Sequence, residues 1–467
     1  MMWRKLILLT TAVGLAVAAG SAAAQEGLLE IYQRALQNDP LIREAEANYR
    51  ATIEIRPQMR SNLLPGLSLS AGLSHRFSES RSGAVLPGTG QVFGTGTDFE
   101  SDTDNLALDV TQTIFDWGRY AQLRQADKSV ARAETDFETA KQDLLIRVSE
   151  SYFNVLAAED TLASEVAARE SIARQLEQAQ RRFEVGLIAI TDVQQSQAGY
   201  DQAIAAEIAA ERVLATSQEF LREIIGEYVT ELAGPTDDLP LLTPDPANAE
   251  EWVRTALRQN LVLISSRIGA DIAQDEISIQ RSGRFPTLSF SAGYTESTTD
   301  QLIRLFDFDP ATGMPVTIVR PSISEPEGYN WSFNLRVPIY AGGFNSSRIQ
   351  QSVYQHRAAL ESLERVARQT ERQTRDAYLG VISEISRVQA LRQAVESSAT
   401  ALRATQAGFE VGTQTTVDVL ASQEVLRRAQ TTYARSRYDY ILNVLRLQLA
   451  AGSLAIEDIE QVDGWLQ

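Results

Sequence analysis

The sequence predicts a mainly α-helical chain that also carries a set of membrane-type β-strands. Three observations point that way. Phe183-Glu184-Val185-Gly186 returns 226 residues later as Phe409-Glu410-Val411-Gly412, and Asp192-Val193 returns as Asp418-Val419 at the same offset. Four short stretches alternate apolar and polar residues with period two. Two helical stretches, 119–183 and 344–409, run for about 65 residues each, roughly 98 Å at about 1.5 Å per residue. No ordinary globular core needs helices of that length.

The chain opens with an export signal. Arg4 and Lys5 precede the apolar run 6–19, and Ala22-Ala23-Ala24 supplies a cleavage site before Gln25. Residues 1–24 are therefore expected to be a signal peptide. The run is short for a membrane-spanning helix, and no later segment is long and apolar enough to be one. With 467 residues, 44% of them hydrophobic, the chain can bury a large core. A net charge of −18 argues against nucleic acid as a partner. The absence of cysteine removes disulfides, thiol nucleophiles, thiolate metal sites and lipid attachment. His75 and His356 are the only histidines, which excludes a His-rich metal centre; one falls at a strand end and the other in a heptad stripe, so nothing points to a Ser/His/Asp set. The expectation is a protein with no enzymatic activity and no cofactor.

The repeat organises the whole mature chain. Ala35-Leu36 matches Ala256-Leu257, and LPGLSLSAG (64–72) matches FPTLSFSAG (285–293), both at offset 221. Tyr152, Val155 and Gly226 match Tyr378, Val381 and Gly452 at offset 226. A tandem duplication accounts for this. The first repeat is placed at 25–233, a Pro- and Asp-rich linker at 234–250, the second repeat at 251–452 and a closing segment at 453–467. Each half reads helix, strand, strand, long helix, turn, helix.

The opening helix is expected over 28–62. Strands follow at 66–76 and 105–115, and in the second half at 287–297 and 330–340. Leu67, Leu69, Ala71 and Leu73 fall on one face, with Ser68, Ser70, Gly72 and Ser74 on the other. Trp331, Phe333, Leu335, Val337 and Ile339 alternate in the same way. Each stretch is close to the ~9–11 residues of a tilted strand crossing a bilayer. A soluble half-buried sheet is the alternative for any one of them. Four together in an exported chain favour the membrane. Residues 77–104 and 299–328, rich in Gly, Pro and acids, are expected to be outer loops. Four strands cannot close a barrel, and open edges are not tolerated in hydrocarbon. Membrane strands therefore require oligomerisation. Along the first long helix, Leu123, Ala126, Val130, Ala133, Phe137, Ala140 and Leu144 fall at heptad spacing, suited to lateral helix packing.

The repeated words are helix stops and starts. Gly186 and Gly412 suit the left-handed position after a helix end. Thr191 with Gln194, and Thr415 with Asp418, read as capping boxes that open the returning helices. Asp192 and Asp418 lie in the first turn, where complementing the helix dipole is a sufficient role. Leu187, Ile188 and Ile190 at an exposed tip suggest a partner surface.

The element order, FEVGLIAITDVQ, FEVGTQTTVDVL, LPGLSLSAG and the strand-to-helix turns IFDWGR and IYAGGF resemble the TolC family of outer-membrane efflux ducts over essentially the whole mature chain. The resemblance implies a homotrimer whose protomers give four strands each to one twelve-stranded β-barrel set in outer-membrane lipid. That barrel continues into a long periplasmic α-helical barrel girdled by a mixed equatorial region. It further implies a passive duct of a tripartite efflux pump or type I secretion system. Its partners would be a periplasmic adaptor (membrane fusion) protein and an inner-membrane transporter of the RND or ABC type. Asp418 matches a pore-lining aspartate of the entrance, and Asp192 an aspartate that holds its closing links. Phe409 and Gln414 stand where a gating tyrosine and a gating arginine are usual, and Ala421 where a second pore aspartate is usual. A periplasmic adaptor and a structural coiled-coil surface protein are the competing readings. Adaptors normally carry one hairpin, and a coiled-coil protein would not need alternating strands.

Overall fold

The computed structural model describes residues 25–85, 92–229, 231–236, 239–309, 312 and 314–466; the expected signal peptide lies outside them. The chain divides into two compact units. One comprises 45–138 and 261–369, and the other the described parts of 25–44, 139–260 and 370–466.

The first of these units holds the sheet. Strands β1 (Gly66–Val85), β2 (Val92–Phe115) and β3 (Thr287–Phe308) pair antiparallel in that order. The chain then returns along β3 in two pieces, β4 (Pro315–Ser324) and β5 (Glu327–Arg336). Pro326 interrupts this return course, which otherwise makes a fourth strand path along one partner. The apolar positions fall on one face and in register: Leu67 opposite Val110, Leu69 opposite Leu108, Tyr294 opposite Tyr329, and Phe290 opposite Phe333. Leu67, Leu69, Leu73, Tyr329, Trp331 and Leu335 are all exposed. An apolar sheet face of this kind, banded by Tyr and Trp, belongs against lipid.

The strands are about twice as long as expected. Residues 77–85 and 92–104, read as loop, continue the β1–β2 ladder from Phe77 opposite Glu100 to Val85 opposite Val92. Most of 299–328 likewise pairs, through β3, β4 and the start of β5. Ladder hydrogen bonding does not depend on side-chain polarity. Residues 100–104, Glu-Ser-Asp-Thr-Asp, are polar on both faces, whereas Leu302, Ile303, Leu305 and Phe306 put apolar side chains on both, so neither stretch shows the alternation by which strands are recognised. The last strand also ends earlier, at Arg336 instead of residue 340.

Helical packing completes this unit. α2 (Pro40–Ile53), α3 (Ile55–Ser61), α7 (Leu261–Ser282) and the starts of α4 (Trp117–Glu184) and α8 (Phe344–Glu410) contribute to it. Tyr49 stacks on Phe137 at 5.6 Å, and Trp117 meets Phe285 edge-on at 6.3 Å. The expected heptad stripe of α4 is buried or half-buried throughout.

The opening helix is broken where one was expected over 28–62. It forms α1 (Leu28–Asn38), α2 and α3. Asp39 adopts ψ 121° ahead of Pro40, because the proline ring pushes the preceding residue out of the helical region. Pro57 has no N–H for the carbonyl of Ile53, where α2 ends. The second repeat breaks at the matching place, with Asn260 at ψ 121° between α6 (Ala249–Gln259) and α7.

The other unit is mostly helical. α4 and α8 end in it and return as α5 (Ile190–Ile225) and α9 (Thr416–Ala451), followed by α10 (Ile456–Asp463). Its core gathers Leu28, Ile31, Val148, Tyr152, Phe153, Ile441, Leu445 and Ile459. The isolated bridge Glu26–Leu232 joins the two ends of the first repeat, and Pro235–Leu466 joins the linker to the C-terminal segment. Polar links also join α4 and α9: Glu150–Arg446 at 2.6 Å, Asp160–Tyr438 at 2.6 Å, Glu165–Arg427, and Ser171–Gln423 at 3.2 Å.

Candidate functional site

The hairpin tips both lie in the helical unit. α4 stops at Gly186, whose φ of +73° only glycine adopts without strain. Leu187 N–H donates to the Arg182 carbonyl at 2.8 Å and Gly186 N–H to that of Phe183 at 2.9 Å, the bond pair of a Schellman stop. α8 stops the same way at Gly412, φ +79°, with Thr413 N–H donating to the Gly408 carbonyl at 2.8 Å and Gly412 N–H to that of Phe409 at 3.2 Å.

The restarts differ. Thr415 and Asp418 form the expected reciprocal box. The Asp418 carboxylate accepts from Thr415 N–H at 2.8 Å and from its hydroxyl at 2.7 Å, and Asp418 N–H donates back to that hydroxyl at 3.3 Å. These bonds, the hydroxyl first and the backbone N–H second, hold the Asp418 carboxyl below its usual range. In the first hairpin the box expected at Thr191 and Gln194 does not form. α5 begins at Ile190, with Ala189, two residues before Thr191, as its cap. Ala189 has no acceptor, so only the return bond exists, from Ala189 N–H to the Asp192 carboxylate at 3.3 Å.

Ile188, expected at the exposed tip, instead packs against the hairpin's own core of Leu176, Ala179 and Val193. The exposed apolar rim is Val185 (68%), Leu187 (72%) and Ile190 on one tip, and Val411 (75%) and Val417 on the other. Val185 and Val411 are the valines of the repeated word itself, so repetition was the signal that could have found them.

Among the described residues, no hydrogen bond or ion pair joins Asp192, Phe409, Gln414 and Asp418 to one another within the chain. Phe409 faces Arg182, whose guanidinium carbon lies 4.9 Å from the ring centroid. Gln414 is exposed, and its N–H donates to the Gly408 carbonyl at 3.3 Å. Arg182 was missed because the repeat hides it: at offset 226 its counterpart is Gly408. No group of three potential metal ligands occurs among the described residues.

Two matched repeats, an apolar membrane sheet and paired helical tips define a class of outer-membrane duct. The chain belongs to the outer membrane efflux protein family, whose pattern it matches over residues 31–227 and again over 252–453. These matches begin 221 residues apart and end 226 apart, the offsets of the repeated words. The chain is 34% identical over 447 residues to the outer membrane protein TolC of Vibrio cholerae serotype O1, covering 96% of this chain and 95% of that one. It is 27% identical over 438 residues to the alkaline protease secretion protein AprF of Pseudomonas aeruginosa, covering 93% and 86%. The crystal structure of the Campylobacter jejuni CmeC outer membrane channel shares the fold with a TM-score of 0.69 at 15% identity, covering 99% of this chain and 98% of that one. The protein is thus an outer-membrane duct of a Gram-negative bacterium, serving efflux or secretion. The adaptor and coiled-coil readings are set aside by this membership.

Proposed function

We propose that three copies of the chain close a twelve-stranded barrel and form the passive outer-membrane duct of a tripartite pump or type I secretion system, without catalysis. The observation that carries this reading is the sheet with two open edges: among the described residues β1 pairs only with β2, and β4 and β5 pair only with β3. In hydrocarbon each unsatisfied backbone group costs several kcal/mol, so the edges must meet those of other copies.

In this reading the tips form the periplasmic entrance. The rim of Val185, Leu187, Ile190, Val411 and Val417, with Gly186 and Gly412 setting its turns, receives a periplasmic adaptor bound to an inner-membrane RND or ABC transporter. Asp418 lines the pore, and Asp192, Phe409 and Gln414 belong to the closed gate. An uncharged Gln414 and a Phe409 without a hydroxyl leave any link to Asp192 weaker than a charge-assisted one. Similarity to the alkaline protease secretion protein AprF supports protein secretion, and the family pattern supports efflux.

The test uses cells that depend on this chain for export of a fluorescent efflux substrate. Leu187→Arg with Val411→Arg should leave outer-membrane insertion and assembly intact and abolish export. Undiminished export would remove the tips from the docking surface.

A further inference from the structure

We propose that Arg182 is a gate-positioning residue, clasping Phe409 across the two hairpins of one protomer and holding the entrance closed by a cation–π contact. This rests on the reading of the tips as a gated entrance.

Geometry comes first. Arg182 lies near the end of α4 and Phe409 near the end of α8, so the contact bridges the two repeats. The ring of Phe409 is half-buried. The neighbouring Arg181 is engaged by Glu177 one turn back. Among the described residues Arg182 has no carboxylate at ion-pair distance, and the ring of Phe409 is its partner. A guanidinium over an aromatic face is held by the ring quadrupole, and partial desolvation strengthens the attraction.

The clasp is asymmetric. Phe183 occupies the same place in the first repeat as Phe409 in the second. The second repeat has Gly408 where the first has Arg182, so Phe183 has no equivalent cation and is exposed. One protomer therefore carries one clasp, and Phe183 is a built-in control.

The clasp is also tied to the docking rim. The Arg182 carbonyl accepts from Leu187 N–H, and the Phe409 carbonyl from Gly412 N–H. A partner that rotates either tip turn acts on the backbone of a clasp residue. Rim contact and release of the ring from the guanidinium are thus mechanically linked.

The experiment is single-channel recording of the intact purified protein in planar bilayers, after its oligomeric state has been checked for each variant. Arg182→Met removes the charge and keeps the length. Phe409→Leu removes the ring and keeps apolar bulk. Each should raise the open-to-closed ratio about two- to fivefold per clasp, and roughly ten- to a hundredfold when three copies release together. The double variant should match the stronger single one, Phe409→Trp should stay closed, and Phe183→Leu should behave as the unaltered protein. If Phe409→Leu opens the channel while Arg182→Met does not, or if the two effects multiply in full, the clasp is refuted and the gate reading stands. If no tip variant changes conductance and Asp418→Ala leaves ion selectivity unchanged, the gate reading falls and the clasp falls with it.

Discussion

Asp418 combines a structural and an electrostatic role in one carboxylate. Its oxygens cap α9 through Thr415, and its charge, repeated around a trimer, would favour cations at the narrow end. The two roles separate by substitution. Asp418→Asn keeps an acceptor for the cap and removes the charge, so it should lower cation preference with little loss of thermal stability. Asp418→Ala should lose both. Because the folded-state carboxyl is depressed, its contribution is present above the ordinary aspartate value and disappears only as pH falls through the lower folded value. Cation preference should therefore persist at about pH 4, where an ordinary aspartate is half protonated; reversal potentials measured across a pH series check this. Gly186 offers a second test at this scale. An added Cβ there meets nothing within 4 Å, so only the backbone angle penalises a side chain. Gly186→Val should cost about 1–2 kcal/mol locally and impair export, whereas Gly186→Asn, tolerated in the left-handed region, should retain most of it. Equal export by both would show that the turn conformation is not needed.

At the scale of elements, the break between α1 and α2 is held from outside. Asp39 is 2% exposed, and its carboxylate takes the Arg147 guanidinium from α4 as well as the N–H of Leu41 at 3.1 Å. Arg147→Met leaves that carboxylate without its cation and should destabilise the helical unit by about 1.5–3 kcal/mol, read as a lowered thermal midpoint. Asp39→Asn together with Arg147→Met should recover part of the loss. The first-repeat break was legible in Pro40 and Pro57. Its second-repeat counterpart was not, because Asn260 carries no such mark. Its side chain donates to the Ala450 carbonyl at 3.1 Å, and that partner lies 190 residues away. The restart at Ala189 was missed for a related reason. Thr191 is the better cap by composition, yet the hairpin buries Ile188 and Val193, and α5 starts where that packing sets it.

For the whole molecule, the unpaired edges of β1 and of β4 and β5 yield the strongest expectation. Mass measurement in detergent should show three chains per particle. A stable, well-folded monomer would overturn the closed barrel. The extended strands refine the picture of the sheet. Rows from Leu67–Val110 to Leu69–Leu108 are apolar on the exposed face, whereas His75–Asp102 and Arg81–Asp98 are hydrogen-bonded polar pairs further along the same ladder. The ladder therefore continues past the apolar band into polar surface.

The amino-acid sequence by itself determined the duplication, the export signal as an expectation, the apolar strand segments, the two long helices and the position of both tips. Each of these is written in local periodicity or in a residue with a unique backbone preference, such as Gly186 or Gly412. Tertiary structure decided the length of the strands, since a ladder without alternation is stabilised by its partner strand and not by a pattern of its own. It decided that Ile188 turns inward while Val185 and Val411 stay exposed, because burial depends on what the returning helix brings near. It also paired Arg182 with Phe409, a contact spanning 227 positions of sequence that no local spacing encodes, since only the packing of the two repeats in one unit sets a guanidinium over that ring.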